Sequence, residues 1–69
     1  MEKFLIEIAN IPTEEESKAF YDAIRTIGAV NMLYTGTKAY IYGDLDPTDI
    51  DCIEQQILNR GYEYSMDRG

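Results

Sequence analysis

From Lys3 to Ala9 apolar and polar residues alternate with a period of two, placing Phe4, Ile6 and Ile8 on one side and Leu5, Glu7 and Ala9 on the other. That period predicts a strand, and Asn10-Ile11-Pro12 breaks it. The period then lengthens, with Ala19, Phe20, Ala23, Ile24 and Ile27 forming one helical stripe. Ahead of it, Thr13-Glu14-Glu15-Glu16 has the form of a capping box, with Thr13 as N-cap and Glu16 reaching back. The helix is expected to run to about Ile27 and to end at Gly28 in a left-handed turn. A period of two returns in Val30, Met32 and Tyr34 against Asn31, Leu33 and Thr35. A tight turn at Thr35-Gly36-Thr37 leads into Lys38 to Gly43, where Ala39 and Ile41 oppose Tyr40 and Tyr42, and the two strands make a hairpin. Asp46-Pro47-Thr48-Asp49 starts a second helix, with Asp46 capping and Pro47 at the first helical position. Ile50, Ile53, Ile57 and Leu58 form its buried stripe, and Gly61 stops it. Tyr62 to Met66 reads as the last strand, and Asp67-Arg68-Gly69 as a fraying tail.

The order β-α-β-β-α-β predicts an α+β, ferredoxin-like domain spanning residues 1–69, a four-stranded antiparallel sheet with two helices on one face. Right-handed crossovers place both helices on that face, leaving the other open. The first helix is expected to start at the sheet end away from the hairpin. The second follows a strand antiparallel to the first, so the two acidic helix starts need not meet.

Ile6, Ile8 and Ile11, then Gly28-Ala29-Val30, Lys38-Ala39-Tyr40-Ile41-Tyr42, Asp46-Pro47, and Ile50, Ile53 and Ile57 before Gly61-Tyr62 span nearly the whole chain. In this spacing the sequence resembles the heavy-metal-associated domain of copper chaperones and metal-pumping ATPases. The resemblance implies the same scaffold. That family holds Cu(I) or Zn in a Met-x-Cys-x-x-Cys loop through two soft thiolates. Here the two cysteine positions fall on Thr13 and Glu16, neither a soft ligand, so the expectation is a metal-free relative with no cofactor.

Thirteen carboxylates against six Lys and Arg give a net charge of −7, and the chain has no histidine. Binding to nucleic acid or anionic membrane is disfavoured, because phosphate contacts need a cationic surface. The charge serves solubility or draws in a basic partner. No apolar run could span a bilayer and no signal core is present. A single cysteine allows no internal disulfide, so a reducing, cytoplasmic setting is expected.

Cys52 lies about 200° around the second helix from Ile50. It therefore reads as an exposed surface thiol, with no His or second Cys to assist it. Asp44, Asp46, Asp49 and Asp51 cluster near the second helix start. They could be read as oxygen ligands for a hard cation, but they lack EF-hand spacing and suit the positive end of the helix dipole instead. Glu14, Glu15 and Glu16 do the same for the first helix and form a candidate acidic docking patch. Without histidine no Ser-His or Cys-His triad exists, and the scattered glycines make no phosphate loop, so the chain is not expected to be an enzyme.

The tyrosines carry the strongest interaction signal. If Ala39 and Ile41 meet the helices, Tyr40 and Tyr42 lie on the open face beside Leu5, with Leu33 on the far strand. Exposed apolar and aromatic patches mark interfaces, although large side chains also simply shield a two-layer sheet. The candidate interface is thus Leu5, Leu33, Tyr40 and Tyr42 together with Glu14, Glu15, Glu16, Asp44, Asp46 and Asp49. The expected function is a small acidic protein-interaction module, a regulator or inhibitor with a basic protein partner, of the kind phages encode against host factors. A homodimer through the open face, a degenerate metal-chaperone domain retaining ion binding, and a small-ligand sensor dimer are the alternatives.

Overall fold

A computed structural model describes residues 1–68. Its elements follow in the order β1 (Glu2–Ile8), α1 (Glu14–Ile24), β2 (Asn31–Tyr34), β3 (Ala39–Leu45), α2 (Pro47–Asn59) and β4 (Tyr64–Arg68). The strands form one antiparallel sheet in the order β2-β3-β1-β4, the ferredoxin-like α+β arrangement. The inward sides of β1 and β3 (Phe4, Ile6, Ile8, Ala39, Ile41, Leu45) meet Phe20 and Ile24 of α1 and Ile50, Ile53 and Ile57 of α2 in one core. Both helices therefore lie on the same sheet face. Among the described residues, no helix is long and apolar enough to cross a membrane.

Register fixes what each end of the sheet carries. Ile8 pairs with Ala39 and with Tyr64, while Glu2 pairs with Leu45. The start of α1 and the β2–β3 turn therefore share one end, contrary to the expectation from sequence. β1 and β3 are antiparallel neighbours, so the chain leaving β1 emerges where β3 begins. The start of α2 lies at the other end, so the two acidic helix starts remain apart.

Several boundaries move for local reasons. Helix α1 ends at Ile24, with Thr26 Oγ1 donating to the Ala23 carbonyl at 2.8 Å, and Ile27 is only half-buried in the turn beyond. Its buried stripe is Ser17, Phe20 and Ile24, while Ala19 is exposed. Gly28 does not adopt a left-handed backbone. It is small because a Cβ there would stand 2.6 Å from Leu45 Cδ2. Gly61 does end α2 with φ 74°, a conformation that favours glycine. Leu58 is 53% exposed and outside the core, because α2 presents only Ile50, Ile53 and Ile57 inward. Val30 precedes β2 rather than opening it, and Tyr62 is a core residue before β4 rather than its first position.

The expected frayed tail is structured as far as Arg68. Residues 64–68 pair with β1, and Arg68 donates to Asp51 Oδ1 at 2.8 Å and to Glu2 Oε2 at 3.1 Å. This clasp joins β4, β1 and α2, and the two carboxylates raise the guanidinium pKa further above its ordinary value, Asp51 first. The remaining tail residue, Gly69, lies outside the described residues.

Candidate functional site

The alternation that buries Ile6 and Ile41 turns Leu5, Tyr40 and Tyr42 outward, as the sequence predicts. The register arranges them in rows across the sheet. One row runs Leu33, Tyr40, Glu7, Ser65, and the next runs Asn31, Tyr42, Leu5, Asp67. Leu33, Tyr40, Tyr42 and Leu5 therefore form one apolar lozenge at the middle of the uncovered face. Leu33 is 55%, Tyr42 45% and Leu5 43% exposed, and Tyr40 is half-buried. A shallow hollow of about 190 Å³ between Leu5, Tyr40 and Met66 adds relief to this surface.

The rim is polar and close to electrically balanced. Lys38 Nζ lies 3.8 Å from Glu7 Oε1, and Lys3 stands opposite Asp44 in the register. Asp67 completes it on β4. Glu7, Ser65 and Asp67 belong to the site although they are not among the residues expected from the sequence. Asp67 is missed by reading residues 67–69 as a tail. The signal was present: the alternation of Tyr64 and Met66 against Ser65 continues through Asp67 and Arg68. Of the acidic candidates only Asp44 lies on this face.

Glu14, Glu15 and Glu16 form the first turn of α1 at the hairpin end of the molecule, and Asp46 and Asp49 flank the start of α2 at the other. Thr13 caps α1 as expected, its Oγ1 accepting from Glu16 N–H at 3.1 Å. That hydrogen bond is the only half of the expected capping box observed. Burial raises the pKa of the Tyr62 phenol, and the nearby Glu16 carboxylate raises it further, as a hydrogen-bond acceptor and then through its charge. Asp46 occupies the N-cap of α2 without a side-chain cap bond; its carbonyl accepts from Asp49 and Ile50 instead. Among the described residues, no three His, Cys, Asp or Glu side chains gather in a group that could hold a metal ion. Asp51, from the same acidic run, is engaged by Arg68. Cys52 is exposed, as its helical position predicts.

A second concavity lies where sequence reasoning placed nothing. Between α1 and the outer edge of β2 runs a groove of about 320 Å³, walled by Glu14, Ser17, Lys18 and Tyr21 on one side and by Asn31, Met32, Tyr34 and Tyr42 on the other. Ser17 Oγ approaches the Met32 sulfur at 3.7 Å across its floor, and Tyr21 Oη donates to the Val30 carbonyl at 3.2 Å. Ser17 and Tyr21 are polar members of an otherwise apolar helix face, the one hint of the groove that the pattern held.

No protein-family model, curated protein or solved structure matches the chain.

Proposed function

We propose that this chain is a small acidic protein-interaction module, a cytoplasmic regulator or inhibitor that docks a basic protein partner on its open sheet face. The observation that carries the reading is the lozenge of Leu5, Leu33, Tyr40 and Tyr42, adjacent in register and uncovered by any element among the described residues. Two leucines and two ring systems on a rigid sheet bury a large apolar area with little side-chain freedom to lose, which is what interface centres need. The polar rim of Glu7, Asp44, Asp67, Lys3 and Lys38 matches the edge composition of such interfaces. The net charge of −7 favours a basic partner. Neither catalysis nor a cofactor is part of this reading. Thr13 and Glu16, standing where the copper-chaperone scaffold has its thiolates, serve helix α1 instead, so the scaffold is metal-free in this proposal.

The test compares the native chain with a Tyr40→Ser, Tyr42→Ser variant as bait in the native cell extract, with circular dichroism to establish that the variant is folded. The expected result is a basic protein retained by the native chain, released by salt, and absent from the variant. Equal retention by a folded variant would remove the open face from consideration. Sedimentation of the pure chain supplies the remaining arm: a stable dimer abolished by the same changes would make the partner a second copy.

A further inference from the structure

The sheet has two edges, and they differ in chemistry. β4, at one edge, ends in Asp67 and Arg68, and Arg68 is tied back to Asp51 and Glu2. Charged residues of this kind discourage strand addition. β2, at the other edge, is Asn31-Met32-Leu33-Tyr34, with no charge and no proline.

The hydrogen-bond phase of β2 follows from the hairpin. The Thr35 N–H donates to the Lys38 carbonyl at 2.9 Å. Bonded and non-bonded pairs alternate along an antiparallel ladder, so Leu33 and Asn31 face β3, while Met32 and Tyr34 turn their N–H and C=O groups outward. The Tyr21 hydroxyl agrees with this phase, since it donates to the carbonyl of Val30, the next outward position. The outward groups of Met32 and Tyr34 open onto the groove of about 320 Å³ whose far wall is α1. That helix carries four carboxylates (Glu14, Glu15, Glu16 and Asp22) against the single cation Lys18, with Arg25 at its C-cap. Glu14 and Lys18 are its charges on the groove wall and stand 3.8 Å apart, so the attraction for a cation there comes from the helix as a whole.

We infer that this groove takes an extended, basic peptide segment, which adds to β2 as a fifth strand between the sheet edge and α1. Backbone pairing with Met32 and Tyr34 supplies register. Alternate side chains of the segment enter the space beside Ser17 and Tyr21, and its cations are drawn by the net negative charge of α1 and of the chain as a whole. This is the physics of peptide recognition by β-augmentation, in which main-chain bonds give affinity and flanking pockets give selectivity. A second copy of this chain is the poorer occupant, because two bodies of charge −7 repel. The inference rests on the proposed interaction role and names a mode of engagement, strand pairing at the sheet edge, different from docking on the open face, with Tyr42 bordering both surfaces.

The experiment uses the intact chain, labelled with nitrogen-15, and a synthetic probe, acetyl-Arg-Val-Lys-Val-Arg-Val-Lys-amide. Expected are shifts of the Met32 and Tyr34 amides with slowed hydrogen exchange, accompanied by shifts at Ser17 and Tyr21. The same peptide N-methylated at its central valine and at the arginine that follows blocks pairing along both of its edges without altering the protein. It should bind about tenfold more weakly for each backbone hydrogen bond lost. Equal affinity of the methylated peptide would overturn strand addition in favour of charge alone. Shifts centred on Leu5, Glu7 and Tyr40, with Met32 and Ser17 unmoved, would overturn the groove while leaving the proposed function standing. Protection of β2 that rises with protein concentration and needs no peptide would make the occupant a second copy, and would also overturn the inference. So would the absence of any shift in β2.

Discussion

Replacing Tyr62 by Phe should make the protein more stable, not less. Tyr62 is 8% exposed and packs edge-on against Phe20, with ring centroids 5.7 Å apart and planes at 89°. Its hydroxyl is buried and meets no partner at hydrogen-bond geometry among the described residues, although Glu16 and Arg60 stand close enough to shift its pKa. Burial is the first cause of its raised pKa, followed by the carboxylate of Glu16, which favours the neutral phenol; Arg60 acts in the opposite sense more weakly. A buried hydroxyl left unpaired carries a desolvation cost of about 1–3 kcal/mol, and removing the oxygen alone relieves it. The Phe20 contact and the ring volume survive the change, so no cavity term is introduced. Allowing for partial relief, we expect a gain of about 1 kcal/mol, corresponding to a rise in Tm of about 4–8 °C for a domain of this size. Urea unfolding followed by circular dichroism should show a higher midpoint with an unchanged slope. A Tyr62→Leu control also removes the hydroxyl but loses the edge-on aromatic pair, and should fall below Tyr62→Phe by about 0.5–1.5 kcal/mol or more. A clear loss of stability in Tyr62→Phe would refute the reasoning, and would mean that the hydroxyl is bonded in solution, with Glu16 the nearest acceptor.

Two further outcomes follow from the same packing and charges. Gly28→Ala puts a Cβ 2.6 Å from Leu45 Cδ2 inside the core; the overpacking should cost about 1–3 kcal/mol in chemical unfolding, and Gly28→Ala combined with Leu45→Ala should recover part of the crowding component. Tyr64 donates to Glu54 Oε2 at 2.6 Å, and this bond, with burial second, raises its phenol above 10.0. Stability from that bond is complete below pH 10.0 and is lost as pH rises through the higher folded value. Unfolding curves at alkaline pH should therefore fall less for Tyr64→Phe than for the native chain, and equal falls would show that Tyr64 is not the group responsible.

The layout of the fold was legible because its signals are local. Alternation in β1 and β3, the Thr13 cap, Pro47 at the start of α2 and Gly61 at its end each depend on neighbours a few residues away, and each holds. The errors have a different origin. Gly28 reads as a helix stop because glycine commonly is one, but its reason is the side chain of Leu45, seventeen positions along the chain, which periodicity cannot reveal. Arg68 reads as tail because partners as distant as Glu2 and Asp51 are what hold it. The Leu5, Leu33, Tyr40 and Tyr42 lozenge could be anticipated, since period two assigns faces once the buried side is known. The β2 groove could not be, because it depends on how far α1 sits from an edge strand and on the phase of a hydrogen-bond ladder.

Charge and shape are divided between different parts of this molecule, and the division determines what each can contribute to binding. The open face carries three carboxylates, Glu7, Asp44 and Asp67, against Lys3 and Lys38, a local balance of −1. The remaining ten carboxylates and four cations leave −6 on the helix layer and the two ends. A partner approaching the face would therefore feel the acidic helices from a distance and meet a nearly neutral, apolar surface at contact. Charges remote from an interface alter encounter rates and leave dissociation largely untouched, and their reach is only about 8–10 Å at physiological salt. For such a partner, Glu14, Glu15 and Glu16, at the hairpin end, would bear on capture, whereas Tyr40 and Tyr42 would bear on residence. The β2 groove would combine the two, since the strand edge there is flanked by α1, whose four carboxylates outnumber its one lysine even though Glu14 on the groove wall pairs with Lys18. A basic segment entering there would gain both steering and hydrogen bonds at one place, which is the physical reason to expect the groove, rather than the open face, to be the more salt-sensitive of the two surfaces.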